Sequence, residues 1–198
     1  MNKMTYEQAE LDFFADVNDI DTKFAVANNK NTHPSTLRKL MNKHIEAGRE
    51  NKSFQVVIAI LQNANTTSET LRDAFLAMDD NTTYHFDNWN INARYQQLKA
   101  FDAIASHKNT SIEILKKIRS NHGWKDWAGR CNDKNALIIK NLVTGMLETI
   151  KKRCTIDELK KKNIDINVLS PEKQQFIKNW NVDDIVKYIE FLKAHGKI

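Results

Sequence analysis

Glycine and proline are scarce: five and two in 198 residues. So few turn-formers argue against a loop-rich β fold and for helices. No stretch of 18 apolar residues occurs, which excludes a membrane-spanning helix. The opening MNKMTYEQAELDFF carries acids where a secretory signal needs an apolar run, so the expected location is the cytoplasm. There are two cysteines, Cys131 and Cys154, and no CxxC. They read as reduced, partly buried thiols and make no zinc site. HExxH, GxSxG, the P-loop and GxGxxG are all missing, so no metal, nucleophile or phosphate-cradle motif suggests an enzyme. What remains is 41% apolar and 28% charged, the balance of a soluble globular chain.

The net charge of +5 is unevenly placed. Residues 1–93 carry −4, residues 94–153 carry +8 and residues 154–198 carry +1. A basic middle segment suits an acidic partner, nucleic acid included, although lysine-rich solvated faces are also common. The abundance of lysine and asparagine matches the codon bias of an AT-rich genome, such as many phages have, and has no physical weight.

The segment AVANNKNTHPSTLRKL, residues 25–40, ends one helix, turns and starts another. Its Asn31-Thr32 recurs as Asn65-Thr66 and Asn109-Thr110. Five residues after each threonine stands Leu37, Leu71 or Leu115; eight after stands Leu40, Ala74 or Ile118; five before stands Ala27, Leu61 or Ala105. A fourth, eroded copy is CNDKNALIIKNL, with Asn132 and Asn135 in the asparagine positions, Ala136 for the threonine and Asn141 for the leucine. The copies lie 34, 44 and 26 residues apart, a period that points to stacked supersecondary units. Asparagine suits the turn because it tolerates left-handed dihedrals and bonds its own backbone. The threonine is expected to cap the second helix, with Thr66–Glu69 and Thr110–Glu113 as capping boxes. One unit cannot bury its apolar face alone, whereas stacked units can.

These residues resemble the variant leucine-rich repeat, whose units follow A-x-N-x-N-T-P-x-x-x-L-x-x-L, and the resemblance covers roughly residues 20–140. It implies an α-solenoid, a right-handed superhelix of paired short helices related to HEAT repeats, and a tendency to bind macromolecules. It implies no reaction. The chain departs from the family by insertions near residues 45–55 and 80–100. It also lacks the cysteine cluster that holds an iron–sulfur centre in some members, so no cofactor is expected.

The expected organisation is all-α. An N-terminal capping helix lies within 1–19, running over 6–18 with a Thr5–Gln8 capping box and Tyr6, Leu11, Phe13, Phe14 and Val17 as its apolar surface. Helical repeats follow over 20–135, then a C-terminal helical cap or small helical subdomain over 136–198. In the latter, ALIIKNLVTGMLETIKKR forms one helix and Thr155–Glu158 starts another. Ser170-Pro171 starts a third, Asn181 or Asp183 starts the last, and Gly196 ends it. Tyr84, His85, Phe86 and Trp89 crowd one insertion, either packed beneath it or forming a contact patch.

The six histidines, His33, His44, His85, His107, His122 and His195, show no metal-ligand spacing, and His33 and His107 read as turn residues. HGWKDWAGR sets Asp126 between Trp124 and Trp127, an arrangement similar to that of helical-repeat DNA glycosylases for alkylated bases; its ordinary reading is one core tryptophan and a locally paired aspartate. A basic ladder is the sharper feature. Six residues after each repeat threonine stand Arg38, Arg72 and Lys116, which stacking would place above one another. Lys39 and Lys117 extend this ladder, Asp73 interrupts it, and Lys43 and Arg119 lie near. Trp124, Lys125, Trp127 and Arg130 continue it, followed by Lys151, Lys152 and Arg153. Cations along one face suit phosphates, and interleaved aromatics suit unpaired bases, but an acidic protein helix fits equally and the cations can merely solvate the helices. The leading expectation is a non-enzymatic binding protein presenting this partly basic surface to a protein partner. A nucleic-acid-binding protein using residues 94–153 is the alternative, and an enzyme acting on DNA comes third. No membrane association is expected.

Overall fold

The computed structural model describes residues 6–45, 52–79, 91–120 and 136–198, and these are helical with no strand among them. By its own contacts the chain divides into two units, 1–146 and 147–198. The first contains α1 (Tyr6–Asp16), α2 (Ile20–Asn28), α3 (Pro34–His44), α4 (Lys52–Gln62), α5 (Ser68–Asp79), α6 (Ile91–Ser106) and α7 (Ile112–Ser120). The division falls inside α8 (Ala136–Lys161), which is followed by a 3₁₀ turn (Ile166–Val168), α9 (Pro171–Ile177) and α10 (Val182–Ala194). Among the described residues no helix is long and apolar enough to cross a membrane.

The repeated sequence folds as three repeated helix pairs, α2/α3, α4/α5 and α6/α7. Their register residues form the core: Leu37, Leu71, Leu115, Leu40, Ala74, Ile118, Ala27, Leu61 and Ala105 are all buried. α4, apolar on nearly every face, is the central element and packs against α2, α3 and α6. The Phe75 and Phe101 rings meet edge-to-face at 5.9 Å and tie α5 to α6.

The turns join the pairs as well as reversing the chain. Asn63 Nδ2 donates to Ala27 O at 2.8 Å and Asn29 O at 2.9 Å, across one repeat. Asn65 Nδ2 donates to Lys30 O at 2.7 Å and Thr32 O at 3.1 Å. One repeat further, His107 Nε2 donates to Asn63 O at 2.9 Å and Asn109 Nδ2 to Thr66 O at 2.8 Å. The first residue of each turn also shapes its own loop. Asn29 Oδ1 accepts from Asn31 N–H, Asn63 Oδ1 from Asn65 N–H, and His107 Nδ1 from Asn109 N–H. His107 is therefore an asparagine equivalent: its ring nitrogens reproduce the amide's acceptor and donor. At the N-terminal edge, Asn31 Nδ2 finds no preceding turn and donates to Glu7 of α1 instead, at 2.8 Å.

The threonines act differently from the expectation. Thr32 and Thr110 hydroxyls donate backwards, to Val26 O at 2.6 Å and Ile104 O at 2.5 Å, and Thr66 does the same to Ile60 O. They close the first helix of each pair. The cap of the second helix is the next residue: His33 accepts from Ser35 N–H, Thr67 from Thr70 N–H and Ser111 from Ile114 N–H. The capping boxes Thr66–Glu69 and Thr110–Glu113 are therefore not formed. A fully buried hydroxyl lies nearer the unpaired carbonyls of the preceding helix end than the exposed start of the next.

α1 covers the first pair with Leu11 and Ala15 buried, while Phe13 and Phe14, expected to pack, face solvent. The fourth copy does not keep the register: Asn141 and Thr144 of α8 are exposed, and Ile139, Val143 and Met146 carry its buried face. Its Asn132 and Asn135 lie outside the described residues, as do Thr5 and the aromatic insertion Tyr84–Trp89. The Thr155–Glu158 start is also not observed. α8 is continuous, because the stripe Ile139, Val143, Met146, Ile150 and Cys154 stays buried on one face and no glycine or proline interrupts it after Gly145. It ends where Asn163 turns left-handed (φ 56°), with Ile164 N–H on Leu159 O and Asn163 N–H on Lys160 O.

In the second unit Leu159, Leu169, Ile177, Ile185, Ile189 and Leu192 form a small core, flanked by half-buried Trp180 and Tyr188. Ser170 caps α9 with Pro171 in its first turn, and Asn181 caps α10, accepting from Asp184 N–H at 2.9 Å. Gly196 (φ 61°) ends α10, with Lys197 N–H on Leu192 O and Gly196 N–H on Lys193 O.

Asn63→Leu removes two cross-repeat hydrogen bonds and takes the amide from the buried Ala27 carbonyl, while Asn29 O keeps Thr32 N–H. We expect a loss of about 2–4 kcal/mol in urea unfolding followed by circular dichroism, against well under ~1 kcal/mol for the exposed Asn28→Ala. Equal, small effects would show that the side-chain ladder contributes nothing.

Candidate binding surface

The second helices of the three pairs, α3, α5 and α7, carry the expected basic ladder, and its rungs are not equivalent. The Arg38 guanidinium reaches forward one repeat, Nη1 to Glu69 at 2.8 Å and Nη2 to Asp73 at 3.0 Å. It is a staple between α3 and α5, half exposed and so contributing at most about 1 kcal/mol. Lys39 and Lys43 turn the other way and share Asp16 of α1, at 2.5 and 2.7 Å. The first repeat is thus neutralised by its own neighbours.

One repeat on, the staple cannot recur. Lys117 occupies the register position of Asp73, seven residues after the repeat threonine, and pairs with Glu113, the counterpart of Glu69, at 3.4 Å. Arg72, Lys116 and Arg119 are exposed, and none forms a salt bridge among the described residues. The open cationic surface accordingly starts on α5 and extends over α7.

Trp124, Lys125, Trp127 and Arg130, with Asp126 between the tryptophans, lie outside the described residues. Lys151, Lys152 and Arg153 belong to the second unit. Among the histidines, His33 caps α3, His107 joins two turns and His195 caps α10, its Nδ1 donating to Phe191 O at 2.8 Å. His44 is buried, and burial together with Lys23 and Lys43 pulls its pKa below the ordinary value. His85 and His122 lie outside the described residues. Among the described residues no three His, Cys, Asp or Glu side chains group as a metal site, and Cys154 is buried.

Two features had little sequence signal. The asparagines read as turn-formers, whereas their amides also hold the neighbouring repeat; the recurring Asn-x-Asn spacing of the first two copies was the clue. The exposed aromatics of the second unit, Phe176 and Phe191, look like core residues in a helical pattern yet are 62% and 55% exposed.

Hydrogen bonds from Lys39 and Lys43 hold the Asp16 carboxyl at about 2, below its ordinary 3.8. A folded-state value below the unfolded one stabilises the fold above the unfolded pKa, and this contribution disappears as pH falls from about 4 towards 2. Asp16→Asn should therefore flatten the acid limb of the unfolding midpoint against pH in that window, with little change in slope above pH ~5. An unchanged acid limb would show that the α1 ion pairs do not stabilise the fold. Set against known proteins, the chain matches no family model, no curated protein and no solved structure.

Proposed function

We propose that this chain is a non-enzymatic helical-repeat binding protein, an α-solenoid of the variant leucine-rich kind. On this reading the exposed cations of α5 and α7 engage an acidic protein segment. The observation that supports it is the break in the ladder: Arg38, Lys39 and Lys43 are matched by Asp73, Glu69 and Asp16, whereas Arg72, Lys116 and Arg119 are left to solvent. A run of exposed cations confined to two neighbouring helices suits a short acidic stretch. A nucleic-acid backbone, with a charge at every nucleotide, calls for a longer continuous track.

The test is fluorescence-anisotropy titration with a labelled polyglutamate peptide, and in parallel with short single- and double-stranded DNA and RNA, at roughly 50 and 200 mM salt. The acidic peptide should bind with a marked salt dependence, and Arg72→Ala/Lys116→Ala should weaken it about tenfold at the lower salt. Arg38→Ala should have little effect, because Arg38 is already occupied. Preferential binding of a nucleic acid, with the same loss in the double variant, would replace the protein-partner reading with the nucleic-acid one. Absence of any binding at roughly tens of micromolar would remove this surface as a binding site.

A further inference from the structure

The last helix carries a second feature, independent of the basic face. α10 buries Ile185, Ile189 and Leu192 against its own unit. A separate stripe runs along its outer side: Asp184, Tyr188, Phe191 and His195, spaced i, i+4, i+7, i+11. This is the alternating four-three spacing of a helix–helix seam. Asp184, Phe191 and His195 are exposed and Tyr188 is half-buried. The stripe is widened by aromatic neighbours: Tyr188 lies 5.5 Å from the Trp180 ring and 6.2 Å from that of Phe176, and the Phe191 and His195 rings are 4.2 Å apart. A single exposed phenylalanine on a surface means little. A row of aromatics at seam spacing is how a helix presents itself to another helix.

The charges along α10 select the partner. Its first turn holds Asp184 and Asp183, the latter already paired with Lys162 at 3.1 Å, and its end holds Lys193, His195 and, just beyond, Lys197. A second α10 laid alongside in the same direction would set acid against acid and base against base. Reversed, it sets each acidic end against a basic one, and the helix dipoles also oppose favourably. The spacing then closes on itself. With a two-fold axis between Ile189 and Glu190, Tyr188 of one copy meets Phe191 of the other, and Asp184 meets His195. Each layer occurs twice, as an isologous interface requires. His195 already commits Nδ1 to Phe191 O, so Nε2 is the ring nitrogen that would meet that carboxylate. A groove of about 630 Å³ lined by Trp180, Asn181, Asp184, Lys187 and Tyr188 lies at the acidic end, where the reversed copy brings its Lys197.

We propose that two copies of this chain associate through antiparallel pairing of α10, with Tyr188 and Phe191 of the two copies stacked in the centre and Asp184 and His195 paired at both ends. Sedimentation velocity of the full chain from roughly 5 to 200 μM tests it. The expected result is a concentration-dependent monomer–dimer equilibrium. Phe191→Asp should weaken it at least about tenfold, and Phe13→Asp, at a still more exposed aromatic on α1, should leave it unchanged. Asp184→Lys should also weaken the dimer, and adding His195→Asp should restore it, since the swap recreates opposite charges across the seam. This pair decides the matter even where Phe191→Asp disturbs the small core, and thermal melts verify that each variant is folded. A wild-type chain monomeric at the highest concentration would overturn the proposal. So would a dimer indifferent to Phe191→Asp, or a charge swap that fails to rescue.

Discussion

The first unit depends on side-chain amides that satisfy the carbonyls of a neighbouring turn. A helix end leaves carbonyls without partners, and a tight turn leaves more. Here those of Ala27, Asn29, Lys30 and Thr32 are met by Asn63 and Asn65 of the next pair. Apolar packing of Leu37, Leu71 and Leu115 supplies the bulk of the attraction between repeats, but apolar contact does not specify register. The amides do, because Asn63 Nδ2 can reach both of its carbonyls in only one alignment. The chain uses hydrophobic burial for adhesion and directional bonds for position.

Register in turn determines which charges meet. Once α3 and α5 are aligned by their turns, Arg38 falls between Glu69 and Asp73, and a single exchange, Lys117 for the acid at that position, suffices to open the next rung. The cations that look alike in a list of basic residues thus separate into two kinds. Arg38, Lys39 and Lys43 belong to the fold, and Arg72, Lys116 and Arg119 belong to the surface. Exposure alone does not distinguish them, since Lys39 and Lys43 are exposed as well.

How much of this was legible depends on the kind of signal. The helix pairs and their core leucines could be read because a fixed spacing repeats and because apolar residues at that spacing have few alternatives to burial. The caps of α9 and α10 and the glycine stop at Gly196 were equally readable, each resting on chemistry local to a few residues. The role of the repeat threonines is not legible in the sequence, because a hydroxyl can serve the helix before it or the helix after it, and only burial decides. The start expected at Thr155 failed for a related reason. A capping pattern is a permission, and the buried stripe through Cys154 overrode it. The Arg38 staple is invisible in the sequence as a bond, since its partners lie 31 and 35 residues away, although Asp73 stands out there as an acid interrupting the cations.

The same physics explains why the spacing between copies can change from 34 to 44 residues without harm to the unit. Every bond that fixes the register begins and ends within a turn or a residue or two of it: threonine to the carbonyl six residues before, the first turn residue to the N–H two residues on, amide to the neighbouring turn. The extra residues fall in the connection between residues 79 and 91 and in the first turns of α6, which has 16 residues against 11 for α4, away from all of these bonds. Lengthening that connection costs only slowly growing closure entropy. His107 makes the complementary point. An imidazole replaces the amide because it offers an acceptor and a donor at similar reach, and it keeps both bonds, to Asn109 N–H and Asn63 O. What the repeat conserves within this one chain is a hydrogen-bonding function at a position, and neither the period nor the residue type is essential to it.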